Sequence, residues 1–326
     1  MSALAPLPPG LLDTGGATRF GAWAGALDRV DWQGLIWPRR PGWLEGWLRH
    51  KRWQYVAIAH PQVFVGIAVV DLGWAAHAFA YAFLRVPRQL VSLSRDGLPG
   101  ACRVDTRPFA DAAATLPGLR IEMQAAPRGL RVIARHRRLQ LDACLDLGAM
   151  PPPACIVAPA NLIAHCTHKS GAVPLAGQLQ VAGCSIDLAG AVASLDHSDG
   201  FLAHDTRWQW ASAHATGFGF NLQAGYMDAA ENVIWLAGVP HKLGAVRFEH
   251  DRADPLAPWQ MRSDCGSTHL RFQPEGLHQG SKNLGFASSR FVQAIGTYSG
   301  RLGVPGEAGR DVSGLLGVSE DHASRW

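Results

Sequence analysis

The sequence predicts an all-β protein made of two antiparallel β-barrel or sandwich halves with few short helices. Three observations carry this. Short apolar runs bounded by Gly, Pro, Asp or Asn recur at roughly ten-residue spacing. Within many of them apolar and polar residues alternate, the period of a strand with one buried face. The proline-rich stretch Pro151-Pro152-Pro153 parts the chain into an N-terminal half, 1–160, and a C-terminal half, 161–326. Closing each half on itself removes exposed strand edges.

Taken in order, WLEGWLRHKRW (43–53) is the principal helix candidate, with PFADAAATL (108–116) a second. VFVGIAVVDLGW (63–74) and HAFAYAFLRV (77–86) read as two strands joined around Gly73–Ala76. The segment 118–147 reads as a three-stranded meander, because Leu139, Leu141, Ala143 and Leu145 alternate with polar neighbours. VPLAGQLQVAG and CSIDLAGAVASLD (173–196) read as a hairpin. A loop is expected near Asn161, and strand-like runs continue to the end, where Val318 and Trp326 suggest that the terminus packs down.

Composition excludes several classes. Charged residues are only 17% and the net charge of +4 is thinly spread; the densest basic run is RVIARHRR (131–138). A nucleic-acid partner is therefore not expected. The run 63–84 is broken by Asp71, Gly73 and His77, so no apolar stretch reaches the roughly eighteen residues of a spanning helix. Peripheral contact is the membrane interaction left open. MSALAPLPPGLLDTGG lacks the basic and apolar regions of a secretory signal. The six cysteines form no C-x-x-C pair, so a reducing cytoplasm is the expected location. Phosphate-binding loops and the G-x-S-x-G nucleophile motif are absent.

The chemistry concentrates in three places. In ASLDHSDGFLAHDTRWQWASA (193–213), Asp196, His197 and Asp199 are read as ending a strand before a turn at Gly200. Trp208 and Trp210 then share one face of the next strand, and His204 and Asp205 are loop residues. If that face lines an apolar cavity, desolvation keeps a proton on a carboxyl there, the condition for a general acid. Indole faces would stabilise a developing cation. The bland alternative is an Asx turn leading into a core strand. HCTHK (165–169) sets His165 and His168 around Cys166, but a metal site would need a further ligand; Lys169 reads as a cavity cation. In GVSEDHASRW (317–326), Glu320, Asp321 and His322 form a titratable cluster in which a carboxylate could orient the imidazole. A surface salt-bridge patch would give the same letters.

The series KRWQYVAI (51–58), VVDLGW (69–74), HCTHK, SLDHSDG, WQWASA, GFNL (219–222), ENVIWLAG (231–238) and GVSEDHASRW resembles the bacterial domain-of-unknown-function 2804 family over nearly the whole chain. More distantly, D-H-x-x-G followed by W-x-W is similar to the carotenoid 1,2-hydratase, AttH-like and tocopherol cyclase group. That resemblance implies two lipocalin-like halves and proton addition to isoprenoid double bonds without a redox cofactor. Carried over, Asp196 would be the acid, with His197 beside it and Trp208 and Trp210 as cavity walls. The chain departs from the pattern at Leu195 and at Ser198-Asp199-Gly200, where position 199 lacks the group's tryptophan.

The expected function is acid/base chemistry of hydratase, cyclase or isomerase type on a hydrophobic, lipid- or isoprenoid-like molecule, with no cofactor and no metal. Asp196, His197 and His322 are the catalytic candidates. Trp208, Trp210, Lys169, Glu320 and Asp321 are the ligand-binding ones. The rival from another class is a lipocalin-type carrier that binds without turnover. An interaction module with no cavity is the third.

Overall fold

Strands carry most of the chain, and the computed structural model describes them over residues 3–160, 163–285 and 287–325. The loop expected at Asn161 and the packing expected of Trp326 lie outside the described residues. Among the described residues, sixteen strands up to Phe201 join into one sheet network and nine from Asp205 onward form a second; we call these the first and second lobes.

In the first lobe, His50–His60, Val63–Asp71, Ala76–Leu84 and Gln89–Gly97 form one antiparallel meander. Leu119–Ala126, Gly129–His136 and Leu139–Asp146 form another, extended by Val173–Val181. Alternate side chains of both, such as Val56, Ile67, Ile121 and Leu141, fill the core between them. Strand Val192–Phe201 pairs with His50–His60 along its length and with Ile163–Lys169 on its other edge. In the second lobe Asp205–Ala215 lies beside the C-terminal strand Arg310–Arg325, around a core that includes Phe220, Trp259, Phe272 and Tyr298.

A third apolar cluster joins the lobes. Tyr55, Phe64, Tyr81 and Phe83 project from the outer face of the first meander onto Ile295, Leu316 and Val318 of the second lobe. This explains why VFVGIAVV reads as a continuous apolar run: its strand is buried on both faces. Fully burying one large apolar side chain is worth about 1.5–3 kcal/mol, so this seam fixes the lobes far more firmly than surface ion pairs could. No helix is long and apolar enough to cross a membrane among the described residues.

Several expectations need correction. The helix over 43–53 stops at Arg49, because His50 onward is drawn into the sheet. Segment 108–116 is not helical: Phe109 adopts φ 60°, the Asp111 carboxylate accepts the Ala125 amide at 2.7 Å, and Ala112–Leu116 is a strand. The expected strand over 184–196 is two, Cys184–Asp187 and Val192–Phe201, parted by a turn with Gly190 at φ +79°. No turn occurs at Gly200. The strand continues to Phe201, and the glycine is required by close packing, since a Cβ there would lie 2.6 Å from the His165 Cα. Finally, the chain changes sheets between Phe201 and Asp205. The hairpin of Ala154–Ala160 and Ile163–Lys169 lies within the first network.

Candidate functional site

Because Val192–Phe201 is extended throughout, its residues alternate between two environments. Asp196 and Ser198 face the seam between the lobes, whereas Leu195, His197 and Asp199 point away from it. Asp196 stands opposite Lys169 in register, and its Oδ2 meets the Lys169 Nζ at 2.5 Å. Its Oδ1 accepts from the Thr167 and Ser198 hydroxyls at 3.1 and 3.3 Å. Glu231, delivered by the short 3-10 turn Asp228–Glu231, contacts the same ammonium at 2.6 Å. Desolvation works against the charge on buried Lys169, but the two carboxylates outweigh it and raise its pKa. The lone acid in an apolar cavity that the sequence suggested is therefore a buried triad, two carboxylates sharing one cation.

Trp208 and Trp210 share a face, as their spacing predicts. The Trp210 indole donates to Asn221 Oδ1 at 2.8 Å, packs edge-on to Tyr55 and lies 6.0 Å from the Lys169 Nζ. Asn221 in turn donates to the Glu231 carbonyl at 3.0 Å. Trp208 donates to Glu320 Oε1 at 3.0 Å and stacks on His322 with ring centroids 3.9 Å apart. Glu320 also contacts His322 Nδ1 at 3.2 Å and accepts from Gln293 Nε2 at 2.7 Å. Burial alone would raise its pKa, but donors from His322, Gln293 and Trp208 hold it below the usual glutamate value. The Tyr81 hydroxyl donates to Gln293, and the Tyr55 hydroxyl lies 3.5 Å from that of Tyr81. Burial drives both phenols upward, so they remain neutral donors.

Six of the eight candidates, Asp196, Lys169, Trp208, Trp210, Glu320 and His322, thus belong to one connected seam. Two do not. His197 lies on the opposite face from Asp196, with Nε2 2.9 Å from the Asp105 carbonyl, and burial first, then His168, pushes its pKa down to about 4. It cannot partner Asp196, because neighbours in a strand point apart. By the same rule Asp321 points away from Glu320 and His322, towards His250 and Arg252 at 3.2 and 2.9 Å. Glu231, Asn221, Gln293, Tyr55 and Tyr81 were missed as site residues. Asn221 and Glu231 fall within GFNL and ENVIWLAG, but no spacing shows that Glu231 reaches Lys169.

HCTHK divides in the same way. His165 faces the seam and stacks on Trp53, whereas Cys166 and His168 turn away and meet Cys155 of the neighbouring strand. Their ligand atoms lie within 4.8 Å of one another, and no fourth His, Cys, Asp or Glu joins them among the described residues. The Leu27 amide donates to His168 Nε2 at 3.3 Å. The neutral ring then carries its proton on Nδ1, the nitrogen turned to the thiols, which fits a buried hydrogen-bonded group better than a metal ligand.

A pocket of ≈ 340 Å³ opens at the mouth of the first lobe, walled by Trp32, Trp43, Trp47, His50, Arg52 and Phe201. Behind it, fully buried Asp199 binds His50 Nε2 at 2.6 Å, Arg52 Nε at 2.5 Å and the Trp32 indole at 3.0 Å. Desolvation alone would raise this carboxyl, but His50 and Arg52 bring it down to about 2.

No curated protein matches this sequence. Among solved structures, kievitone hydratase from Nectria haematococca is similar at 12% identity, covering 99% of this chain and 98% of that one, with a TM-score of 0.55. A putative AttH from Nitrosomonas europaea is similar at 10% identity, over 89% and 98% of the two chains, with a TM-score of 0.54. CghA with Sch210972 is similar at 11% identity, over 99% and 98%, also at 0.54. At these identities the likeness is one of fold, the double lipocalin-like architecture. The family model of the Domain of unknown function (DUF2804) matches residues 6–326, and the chain belongs to that family.

Proposed function

We propose that the protein is a proton-transfer enzyme of hydratase, cyclase or isomerase type. It acts in the seam between its lobes on an apolar, lipid- or isoprenoid-like small molecule and needs no cofactor. One observation carries this reading: Glu320 orients His322 against Trp208, in a seam where Asp196, Lys169 and Glu231 place two carboxylates around one ammonium. The Nδ1 edge of His322 is held by Glu320. Its Nε2 meets the exchangeable hydroxyls of Ser324 and Ser289 at 2.6 and 3.5 Å. That nitrogen is the proton donor to a substrate double bond, and Glu320 stabilises the imidazolium before transfer. The excess negative charge of the triad, with the Trp210 and Tyr55 rings, then stabilises the cation that forms. Asp196 serves as an anion facing that cation, not as the lone acid. The reading places the protein in the cytoplasm, where its six free thiols stay reduced.

The test is incubation with isoprenoid and unsaturated lipid panels in D₂O, with mass spectrometry of the recovered molecules. Wild type should add deuterium or water. His322→Gln should lower the rate by about 10²–10⁴-fold while still binding the ligand, and Asp196→Asn should lower it less. Ligands bound but returned unaltered by wild type would sink the enzyme reading. One observation favours a non-catalytic carrier instead: the gap between the lobes at Ala57, Phe64 and Ser212 is only ≈ 10 Å³, against ≈ 340 Å³ at the mouth.

A further inference from the structure

We propose that the mouth of the first lobe is a docking surface for an anionic lipid bilayer. Six large apolar side chains within thirteen residues are exposed there: Ile36 67%, Trp37 53%, Trp43 84%, Leu44 49%, Trp47 47% and Leu48 43%. The other exposed large apolar residues among those described are scattered singly, as on ordinary surfaces. Trp43 and Trp47, and Leu44 and Leu48, are one helical turn apart, so helix Trp43–Arg49 presents both pairs along one side. No residue of that helix is buried, so core burial does not explain its apolar composition. The Arg39–Glu45 ion pair ties the loop bearing Ile36 and Trp37 to the helix.

Charge selects the occupant. Residues 36–49 carry Arg39, Arg40 and Arg49 against Glu45 alone. A surface with that excess repels a second copy of itself and attracts anionic headgroups. Indoles flanked by arginines suit the boundary between headgroups and acyl chains. Trp43, Trp47 and Arg40 also line the ≈ 340 Å³ pocket, so the patch surrounds its entrance. A seated protein would open that pocket towards the lipid. The proposal concerns where the protein sits and does not depend on chemistry in the seam.

Flotation of the purified full chain tests it, using vesicles of phosphatidylcholine alone and of phosphatidylcholine mixed with phosphatidylglycerol. Wild type should float with the mixed vesicles, with a blue shift of tryptophan emission, and about ten-fold less with phosphatidylcholine alone. Trp43→Ser with Leu44→Ser should lower binding about ten-fold, with an unchanged far-ultraviolet spectrum because both side chains are exposed. Arg40→Glu should weaken binding and make it less sensitive to salt. Wild type that stays unbound, or a double variant that floats equally well, overturns the proposal. So does a wild-type dimer that the double variant dissolves without any flotation, since a second copy is then the occupant.

Discussion

Asp196 and Asp199 lie three residues apart on one strand, both largely buried and both paired with a cation, yet the balance of donors and carboxylates around them is opposite. Asp199 is contacted by His50 and Arg52 and by the Trp32 indole, so three donors converge on this one carboxylate. Asp196 shares its one ammonium with Glu231, so at the seam carboxylates outnumber the cation. A buried carboxylate met by surplus donors is a fixed anion that anchors structure. One that must share its cation leaves negative charge uncompensated, which favours a cationic intermediate nearby. The proposed lipid contact at the mouth and the proposed proton transfer at the seam both rest on this difference.

The largest expected effect comes from removing the shared ammonium. Lys169→Met would leave two buried carboxylates facing each other and should cost about 3–5 kcal/mol in urea unfolding. Adding Asp196→Asn and Glu231→Gln should restore much of that loss; an unshifted urea midpoint for Lys169→Met alone would break the comparison. The pH dependence has a definite sign. Lys169 has a raised folded pKa, so its contribution is complete below its unfolded value near 10.5 and is lost as pH rises through the folded one.

Asp199 works in the opposite direction. Its folded pKa of about 2 lies below the ordinary 3.8, so its contribution is present above pH 3.8 and lost as pH falls through 2. The unfolding free energy from urea titrations should fall across that window by about 2 kcal/mol in wild type and much less in Asp199→Asn. Equal acid slopes in the two proteins would remove Asp199 from its role as the fixed anion.

Much of this architecture is legible in the sequence, because alternation at period two marks strands whichever lobe they join. The 118–147 meander follows from it directly, and so does the common face of Trp208 and Trp210, whereas the 63–86 hairpin follows from two apolar runs joined at Gly73–Ala76. What failed was local. Asp199-Gly200 carries the composition of a turn, yet Gly200 is small because the His165 backbone packs over it. That error hid the strict alternation of Asp196, His197, Ser198 and Asp199 and made neighbours look like partners. Glu231 was illegible for another reason. Its approach to Lys169 depends on how the second lobe docks on the first, a contact between distant segments that no short pattern encodes.

Smaller effects sharpen the contrast within the C-terminal strand. Trp208→Phe keeps a ring over His322 but removes the donor to Glu320. It should cost about 1 kcal/mol, measured by urea unfolding, and weaken turnover. Asp321→Asn, on the other face with His250 and Arg252, should leave any activity within about two-fold. If Asp321→Asn matched Glu320→Gln in lost activity, the separation of the two faces would be wrong.

The central claim is that the ligand reacts at the seam and not at the mouth. Photo-crosslinking a diazirine-bearing isoprenoid to the full chain in lipid-free buffer, followed by peptide mapping, tests it most directly. Adducts are predicted on Asp205–Ala215 and Arg310–Arg325, the strands that carry Trp208, Trp210, Glu320 and His322. Adducts confined to residues 32–53 would contradict the account and make the mouth the binding site.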